Sequence, residues 1–496
     1  MPDRVLFRGH LALRDPRTLS LFLARRHVRL KDFGRYAQAR TAELKAHAER
    51  LAAEANRPFL YLSSPHTART GYTKEQLARD IAERDGVREG LVCVLSALEP
   101  CNAFDVRGNH KTHRLEIVRR LRQCLHFYFY FLDPELGFMH VRLQSWLPFT
   151  IQIYVNGREW LCRQLDQRGL GYQRYDNALV AIADLGAAQR LARHFLRRRW
   201  PATLDRCAHR VNPLLAAMHA TGYAGYYWVT EQCEIATDLM FRRRAALRTL
   251  LPDLLQHSLL ALSAEDALRF LGRKPHGRYQ GETTADLKRR PEGVRVKFRM
   301  KRNSIKLYDK WSVLRVETTI HNPREFKTLR RVQGSLRWMP LPKGVAYFWR
   351  LNEIGQSANA RFLEALASVH PTHQAVAELD RLSRSRIVGY QRSARFNPLS
   401  AQDTRLFAAA LSGRHLLNGF RNRDLTGLLG VPPAGTDIRR RRERTARLIA
   451  KLRGHGLIAT VPRSRLYRVT PRGHRIRSAV IRFRHVDFPQ AFAAAA

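Results

Sequence analysis

The chain of 496 residues carries 88 Lys and Arg against 42 Asp and Glu, a formal net charge of +46, with 45% hydrophobic residues. That apolar fraction excludes a disordered chain, and the length has room for roughly two to four domains, each with its own core. So charged a body repels itself unless a polyanion lies against it, so nucleic acid is the expected partner, held by phosphate neutralisation and counterion release.

Arginine exceeds lysine 75 to 13. Guanidinium groups suit bidentate phosphate and guanine contacts and stacking on bases, although a GC-rich genome gives the same bias. Cys93, Cys101, Cys124, Cys162, Cys207 and Cys233 contain no C-x-x-C pair. Their scatter fits a reducing cytoplasm and argues against a zinc ribbon or a disulfide framework. No charged-then-apolar leader opens the chain, and there is no apolar run of about 18 residues. The expectation is a cytoplasmic protein without membrane contact, associated with the nucleoid or a ribonucleoprotein.

Residues 1–90 read as a mostly helical, basic region, with Thr41–Ala55 rich in helix formers and Thr73 capping a helix through Asp85. Residues 91–165 read as an antiparallel sheet. Leu91–Leu95 is a continuous apolar run, and Leu125–Phe131, Met139–Gln144 and Ile151–Val155 alternate with period two. The alternation turns His126, Tyr128, Tyr130, His140, Arg142, Gln144 and Tyr154 away from the apolar face. That aromatic and polar set is either a stacking platform for single-stranded nucleic acid or a face covered by a layer of helices.

Residues 166–285 read as helical, with segments at Ala187–Arg199, Leu204–Thr221 and Thr230–Leu255. On the last of these, Glu231, Glu234 and Asp238 fall at i, i+3 and i+7, one stripe of a helix. The stripe either holds a divalent metal, with Glu282 and Asp286 further on, or neutralises arginines such as Arg242–Arg244. No metal ligand set is fixed by the spacing.

Residues 286–350 read as a basic β-meander. Val294–Lys301 alternates strictly, setting Arg295, Lys297, Arg299 and Lys301 on one face; Asn303-Ser304 supplies a turn; Lys306, Tyr308 and Lys310 share a face of the next strand. Four cations in a row track a phosphate backbone. Residues 351–398 read as a helical connector ending in a basic, polar linker, Ser385–Pro398.

The last domain spans 399–485, followed by a tail, 486–496. Ser400 and Asn422 cap two helices, and Thr436–Thr470 supplies a basic helix ending at Gly454 and Gly456. Two short strands, Leu457–Val461 and Leu466–Val469, then flank Pro462-Arg463-Ser464-Arg465. A helix followed by a two-stranded wing is the reading end of a winged-helix domain. Ala446, Leu448, Ile449 and Leu452 form its apolar stripe. Arg439, Arg440, Arg441, Arg442, Arg444 and Arg447 are the groove candidates, with Arg463 and Arg465 at the wing tip.

The order helix, helix, basic helix, wing, helix, with the wording GHGLIATVPRSRLYRVTPRGHRI, resembles the bacterial MarR-like winged-helix regulators over about 85 residues. That resemblance implies duplex DNA binding and allows dimerisation through this domain. A shorter stretch, KLYDK at Lys306–Lys310 followed by LRVE at Leu314–Glu317, resembles filamentous-phage-type replication initiators. By that resemblance Tyr308 would be the nucleophile of a DNA nickase of a replicating or mobile element. Lys306 or Lys310 would stabilise a phosphotyrosyl intermediate, and Mg²⁺ would serve as cofactor on paired histidines. His126 and His140 would meet only across neighbouring strands, and His370 and His373 are too widely spaced around Pro371.

No G-x-x-x-x-G-K-[ST], H-E-x-x-H or G-x-S-x-G occurs, which excludes the usual NTPase, zincin and α/β-hydrolase sites. The expected fold is α+β, an antiparallel sheet core with helical segments and a C-terminal winged helix. The expected function is to hold a long or structured RNA or DNA on the basic sheets and engage duplex through the winged helix, which requires no cofactor. The alternative is a Mg²⁺-dependent nickase, nuclease or recombinase using Tyr308, or Glu231, Glu234, Asp238 and Glu317.

Overall fold

The computed structural model describes residues 1–13, 15–63, 72–220, 222, 225–260, 262–272, 281–290, 293–367, 380–388, 391–398, 400–410, 415, 419–429, 437–462 and 464–488. It is a mixed α+β protein built on largely antiparallel sheet. The chain divides into two compact units, residues 1–237 with 319–356, and residues 238–318 with 357–496.

The first unit opens on a strand, β1 (Pro2–His10), where mostly helix was expected. The cause is plain alternation. Asp3, Val5 and Phe7 are buried on one side, while Arg4 is exposed on the other. Helices follow at α1 (Pro16–Arg25) and α2 (Phe33–Glu54), then a short strand β2 (Phe59–Tyr61) and helix α3 (Lys74–Arg84). Thr73 and Gln76 form the capping box of α3. Next come β3 (Gly90–Asn109), β4 (Arg114–Asp133), β5 (Gly137–Gln144) and β6 (Ile151–Asn156), an antiparallel run. Asn156 accepts hydrogen bonds from the Arg158 and Glu159 amides and starts α4 (Gly157–Asp166). A small hairpin, β7 (Tyr172–Tyr175) and β8 (Ala178–Ile182), precedes α5 (Leu185–Arg197), α6 (Trp200–Val211) and α7 (Leu214–His219).

The segment expected as the helix Thr230–Leu255 begins instead as a strand, β9 (Tyr227–Met240). Its Trp228, Val229, Thr230, Ile235 and Thr237 are aromatic or β-branched, and β1 offers a pairing edge from Pro2↔Ile235 to His10↔Tyr227. Tertiary pairing overrides the helix-spaced carboxylates. In this unit the strand order is β9-β1-β6-β5-β4-β3-β2, with only β2 and β3 parallel. Phe7 of β1 anchors an aromatic core, its ring 4.9 Å from Trp200 and 5.5 Å from Phe348.

The second unit continues with α8 (Arg244–Leu260), α9 (Asp266–Phe270) and a four-strand meander, β10 (Thr283–Arg290), β11 (Gly293–Met300), β12 (Asn303–Lys310) and β13 (Val313–Ile320). Phe298 of β11 packs against Phe270 and Phe362, at 5.7 and 5.5 Å. The chain returns to the first unit for a hairpin, β14 (Lys327–Val332) and β15 (Ser335–Pro340), and for the start of α10 (Phe348–Leu366).

The stretch expected as a linker contains another hairpin, β16 (Arg386–Val388) and β17 (Gln391–Ser393). The last elements are α11 (Ala401–Ala410), α12 (Asn422–Leu428), α13 (Ile438–Gly454), the hairpin β18 (Ile458–Thr460) and β19 (Tyr467–Val469), and α14 (Pro471–Arg482). They enclose a core of their own, including Phe396, Phe407, Phe420, Leu425, Ile449, Leu452 and Ile476. The linker stretch belongs to it, because the His455 ring nitrogen bonds the Ala394 carbonyl at 2.9 Å. Among the described residues no helix is long and apolar enough to cross a membrane.

The aromatic and polar face of β4 and β5 is covered rather than open. Tyr128, Tyr130 and Phe138 pack with Ala78, Ile81 and Ala82 of α3. Burial there is balanced by Glu99, which accepts hydrogen bonds from Lys74 (2.8 Å), Tyr128 (2.7 Å) and Arg142 (2.6 Å). Burial alone would raise the Glu99 pKa. The Lys74 and Tyr128 hydrogen bonds and the Arg142 charge outweigh it and bring the carboxyl to about 2. A folded value below the unfolded one means stability that is present above about pH 4.5 and is lost as pH falls toward 2. Glu99→Gln should therefore lower the unfolding free energy at pH 7 by about 1–3 kcal/mol and flatten the acid limb of the stability profile, measured by urea titration at several pH values.

Candidate nucleic-acid interface

Two surfaces of the second unit carry the predicted cations. The first is the outer face of the β10–β12 meander. Val296, Phe298, Met300, Ile305 and Leu307 are buried, so period two turns Arg295, Lys297 and Arg299 to the opposite face. The register sets Arg295 opposite Tyr308, Lys297 opposite Lys306 and Arg299 opposite Ser304. On the other flank, Lys288, Asp286 and Thr284 of β10 lie opposite Arg295, Lys297 and Arg299. Lys297 and Lys306, like charges directly across two strands, repel one another. Burial first, then the charges of Arg299, Lys306 and Arg295, push the Lys297 ammonium below the usual lysine range. Arg295, Lys297 and Arg299 form no salt bridge among the described residues, and the Arg295 Nε is buried without a hydrogen-bond partner. A face with these properties is stabilised by any anion laid along it.

Lys301 does not belong to this row. β11 ends at Met300, which pairs with Asn303, so Lys301 and Arg302 form the two-residue turn and Lys301 takes a φ of 51°. The expected Asn303-Ser304 turn is already strand, with Asn303 fully buried. Lys310 remains in β12 at its far end.

Tyr308 and Glu317, singled out separately in the sequence, meet in the structure. The Tyr308 hydroxyl donates to Glu317 at 2.6 Å, and the Lys306 ammonium donates to the other carboxylate oxygen at 2.5 Å. Glu317 is 3% exposed. Burial would raise its pKa, but the Lys306 charge and hydrogen bond, the Tyr308 hydrogen bond and the Arg315 charge hold the carboxyl below its ordinary range. Beside it, Arg315, 1% exposed, donates to both Asp238 oxygens at 2.7 and 2.9 Å.

The remaining carboxylates do not form the expected stripe. Glu231 sits at a bulge in the pairing of β9 with β1 and pairs with Arg8 at 3.6 Å. Glu234 accepts from Gln232 at 3.1 Å. A strand step is about 3.3 Å against 1.5 Å for a helix, so the spacing that suggested a shared metal spreads the three carboxylates along β9. The histidine pair implied by the nickase resemblance is not formed by His126 and His140 either. His126 pairs with Gln144, and His140 pairs with Tyr130 and stacks on Tyr154 at 5.1 Å. His370 and His373 lie outside the described residues.

The second cationic surface is α13 with the hairpin after it. Thr445, Ile449 and Leu452 are its buried stripe, with Leu448 partly covered; Ala446, expected inside, is exposed. The one-position shift leaves Arg439, Arg440, Arg442, Arg444 and Arg447 exposed and Arg441 partly covered. Arg439 pairs with Glu443 at 3.5 Å on the open surface, a weak contact. Asn422 of α12 donates to the Arg442 carbonyl at 3.1 Å, and the Thr426 and Thr445 hydroxyls lie 3.1 Å apart. The hairpin register runs Ile458↔Val469 to Thr460↔Tyr467, and Phe420 adds a bridge to Tyr467. Arg465 is exposed beyond it, while Arg463 lies outside the described residues.

Sequence reasoning passed over another basic projection. The outer halves of β3 and β4 carry Arg107, Arg114, Arg119 and Arg120, with Lys111 at the turn between them. Their signal was an alternation too weakly apolar to read as strand. No protein-family model, curated protein or solved structure matches the chain.

Removing the Glu317 carboxylate strands the Lys306 ammonium, only 14% exposed. Glu317→Ala is expected to cost about 3 kcal/mol and Tyr308→Phe about 1 kcal/mol in urea unfolding, the second reflecting one lost hydrogen bond.

Proposed function

We propose that the protein binds a long or structured nucleic acid, holding its backbone on the β10–β12 face and engaging duplex through α13 and the hairpin that follows, as a winged helix does. The observation that carries this reading is the row Arg295, Lys297 and Arg299 facing Lys306. These are like charges on adjacent strands, with no salt bridge to the three cations of β11 among the described residues. A phosphate backbone supplies the missing counter-charge. The exposed arginines of α13 support a second grip, with side chains suited to phosphate oxygens and guanine edges. RNA and DNA share the phosphate chemistry, and dimerisation through the C-terminal elements remains part of the proposal.

Affinity for a labelled duplex or structured RNA should fall steeply with salt, the slope of log K against log salt flattening by about 0.7–0.9 for each phosphate contact removed. Replacing Arg295, Lys297, Arg299 and Lys306 by Ala should weaken binding to all nucleic acids and flatten that slope. A flat salt dependence in the wild type would overturn the reading. Replacing Arg440, Arg442, Arg444 and Arg447 by Ala should instead reduce the preference for duplex over single strand; equal losses on both would contradict a separate duplex-reading surface.

The enzymatic alternative draws on one contact, the Tyr308 hydroxyl on the Glu317 carboxylate, which would accept the proton if the phenol attacked a phosphodiester. Supercoiled DNA with Mg²⁺ tests it. Nicking by the wild type that disappears in Tyr308→Phe would establish it, and intact DNA under both conditions would remove it.

A further inference from the structure

The β14–β15 hairpin is outside both surfaces above, and both of its faces carry cations. Gln333 and Gly334, both at positive φ, make a tight two-residue turn. The base is anchored by buried Phe326 and Leu341, whose main chains bond at 2.9 Å, and by Thr328. Beyond the base nearly every side chain is exposed. One face presents Leu329 (46% exposed) opposite Trp338 (61%) and Arg331 opposite Leu336 (63%), with Lys327 at its base. The other face presents Arg330 directly opposite Arg337. Lys327–Pro340 contains no acidic residue, and neither arginine has a carboxylate partner among the described residues.

Each face is costly as it stands. A tryptophan and two leucines in water forgo burial, and two arginines paired across strands repel. We infer that this hairpin is a wedge for unpaired nucleotides at a duplex–single-strand junction, Trp338 stacking on an exposed base while Arg330 and Arg337 hold the phosphates of the diverging strand. Cations on both faces, Lys327 and Arg331 on the side of Trp338 and Arg330 with Arg337 on the other, favour this occupant over an anionic bilayer, which meets a hairpin from one side only. Base stacking on an aromatic ring tolerates any sequence, and an arginine pair holds phosphate in either sugar series. This inference rests on the nucleic-acid reading above and assigns to it a preference for forked substrates.

The test measures full-length protein binding by fluorescence anisotropy to a forked duplex, a blunt duplex of equal length and a single strand, each as DNA and as RNA. Phosphatidylserine vesicles serve as the lipid arm. Wild type should prefer the fork and should quench 2-aminopurine placed at the junction. Trp338→Ala should lose on the order of 10-fold in fork affinity, together with the quenching, while blunt-duplex affinity stays within about two-fold. Trp338→Phe should retain most of both. Arg330→Glu with Arg337→Glu should weaken fork binding and flatten its salt dependence. Equal losses on fork and blunt duplex, or no change in either, overturn the wedge while leaving the nucleic-acid reading intact. Vesicle binding that depends on Trp338, without fork preference, overturns it in favour of a lipid surface. A wild type that binds none of the oligonucleotides overturns the parent reading together with the wedge.

Discussion

Carboxylates are scarce in this chain, and the fold depends on where they go. With 42 acidic groups for 88 cations, every buried arginine or lysine must claim one, because an unpaired interior charge costs several kcal/mol. Asp3 takes Arg158, Asp238 takes Arg315, Glu317 takes Lys306, and Glu99 takes Lys74 and Arg142. These assignments tie strand to strand, or helix to strand, within each unit. They also remove acid from the surface, so the excess positive charge is an outer property of the molecule. The basic faces are the remainder of that internal matching.

The remainder is displayed in two ways. On β11 the period of two separates apolar from cationic side chains cleanly, because one face packs against Phe270 and Phe362 and the other is only half-buried. On α13 the period of 3.6 does the same with a narrower stripe of Thr445, Ile449 and Leu452. One surface is a row at strand spacing and the other the exposed side of a helix; on the proposed function, the first suits a backbone path and the second a groove.

Where alternation was strict, sequence and structure agree. β4, β5, β6, β11 and β12 lie where period two placed them, and Thr73 and Ser400 cap their helices through their side chains, whereas Arg421 and not Asn422 stands at the N-cap of α12. Three features were misread for identifiable reasons. β1 has an alternating Asp3, Val5, Phe7 set, hidden because an inward aspartate looks polar until Arg158 is found to neutralise it. β9 carries carboxylates at helical spacing by coincidence, and its strand state is set by pairing with a segment more than 200 residues away. The aromatic face of β4 and β5 could be placed by periodicity but not assigned a cover, since α3 precedes the sheet in sequence and its small Ala78 and Ala82 give no sign of what they pack against. Of the chemical candidates, Tyr308 and Glu317 were each singled out in the sequence, but their contact was not, because it depends on how the two neighbouring strands are registered. The Glu231, Glu234 and Asp238 set was not legible, because it required the wrong element.

The hydrogen bond from Asn422 to the Arg442 carbonyl has a separate consequence. It holds α13 by its main chain, and the Thr426–Thr445 contact and the Ile449–Leu452 stripe complete the seating. None of these anchors uses an arginine side chain. Scaffold and alphabet are therefore independent: the exposed positions of α13 can be rewritten, by drift or by a combinatorial library, without re-seating the helix.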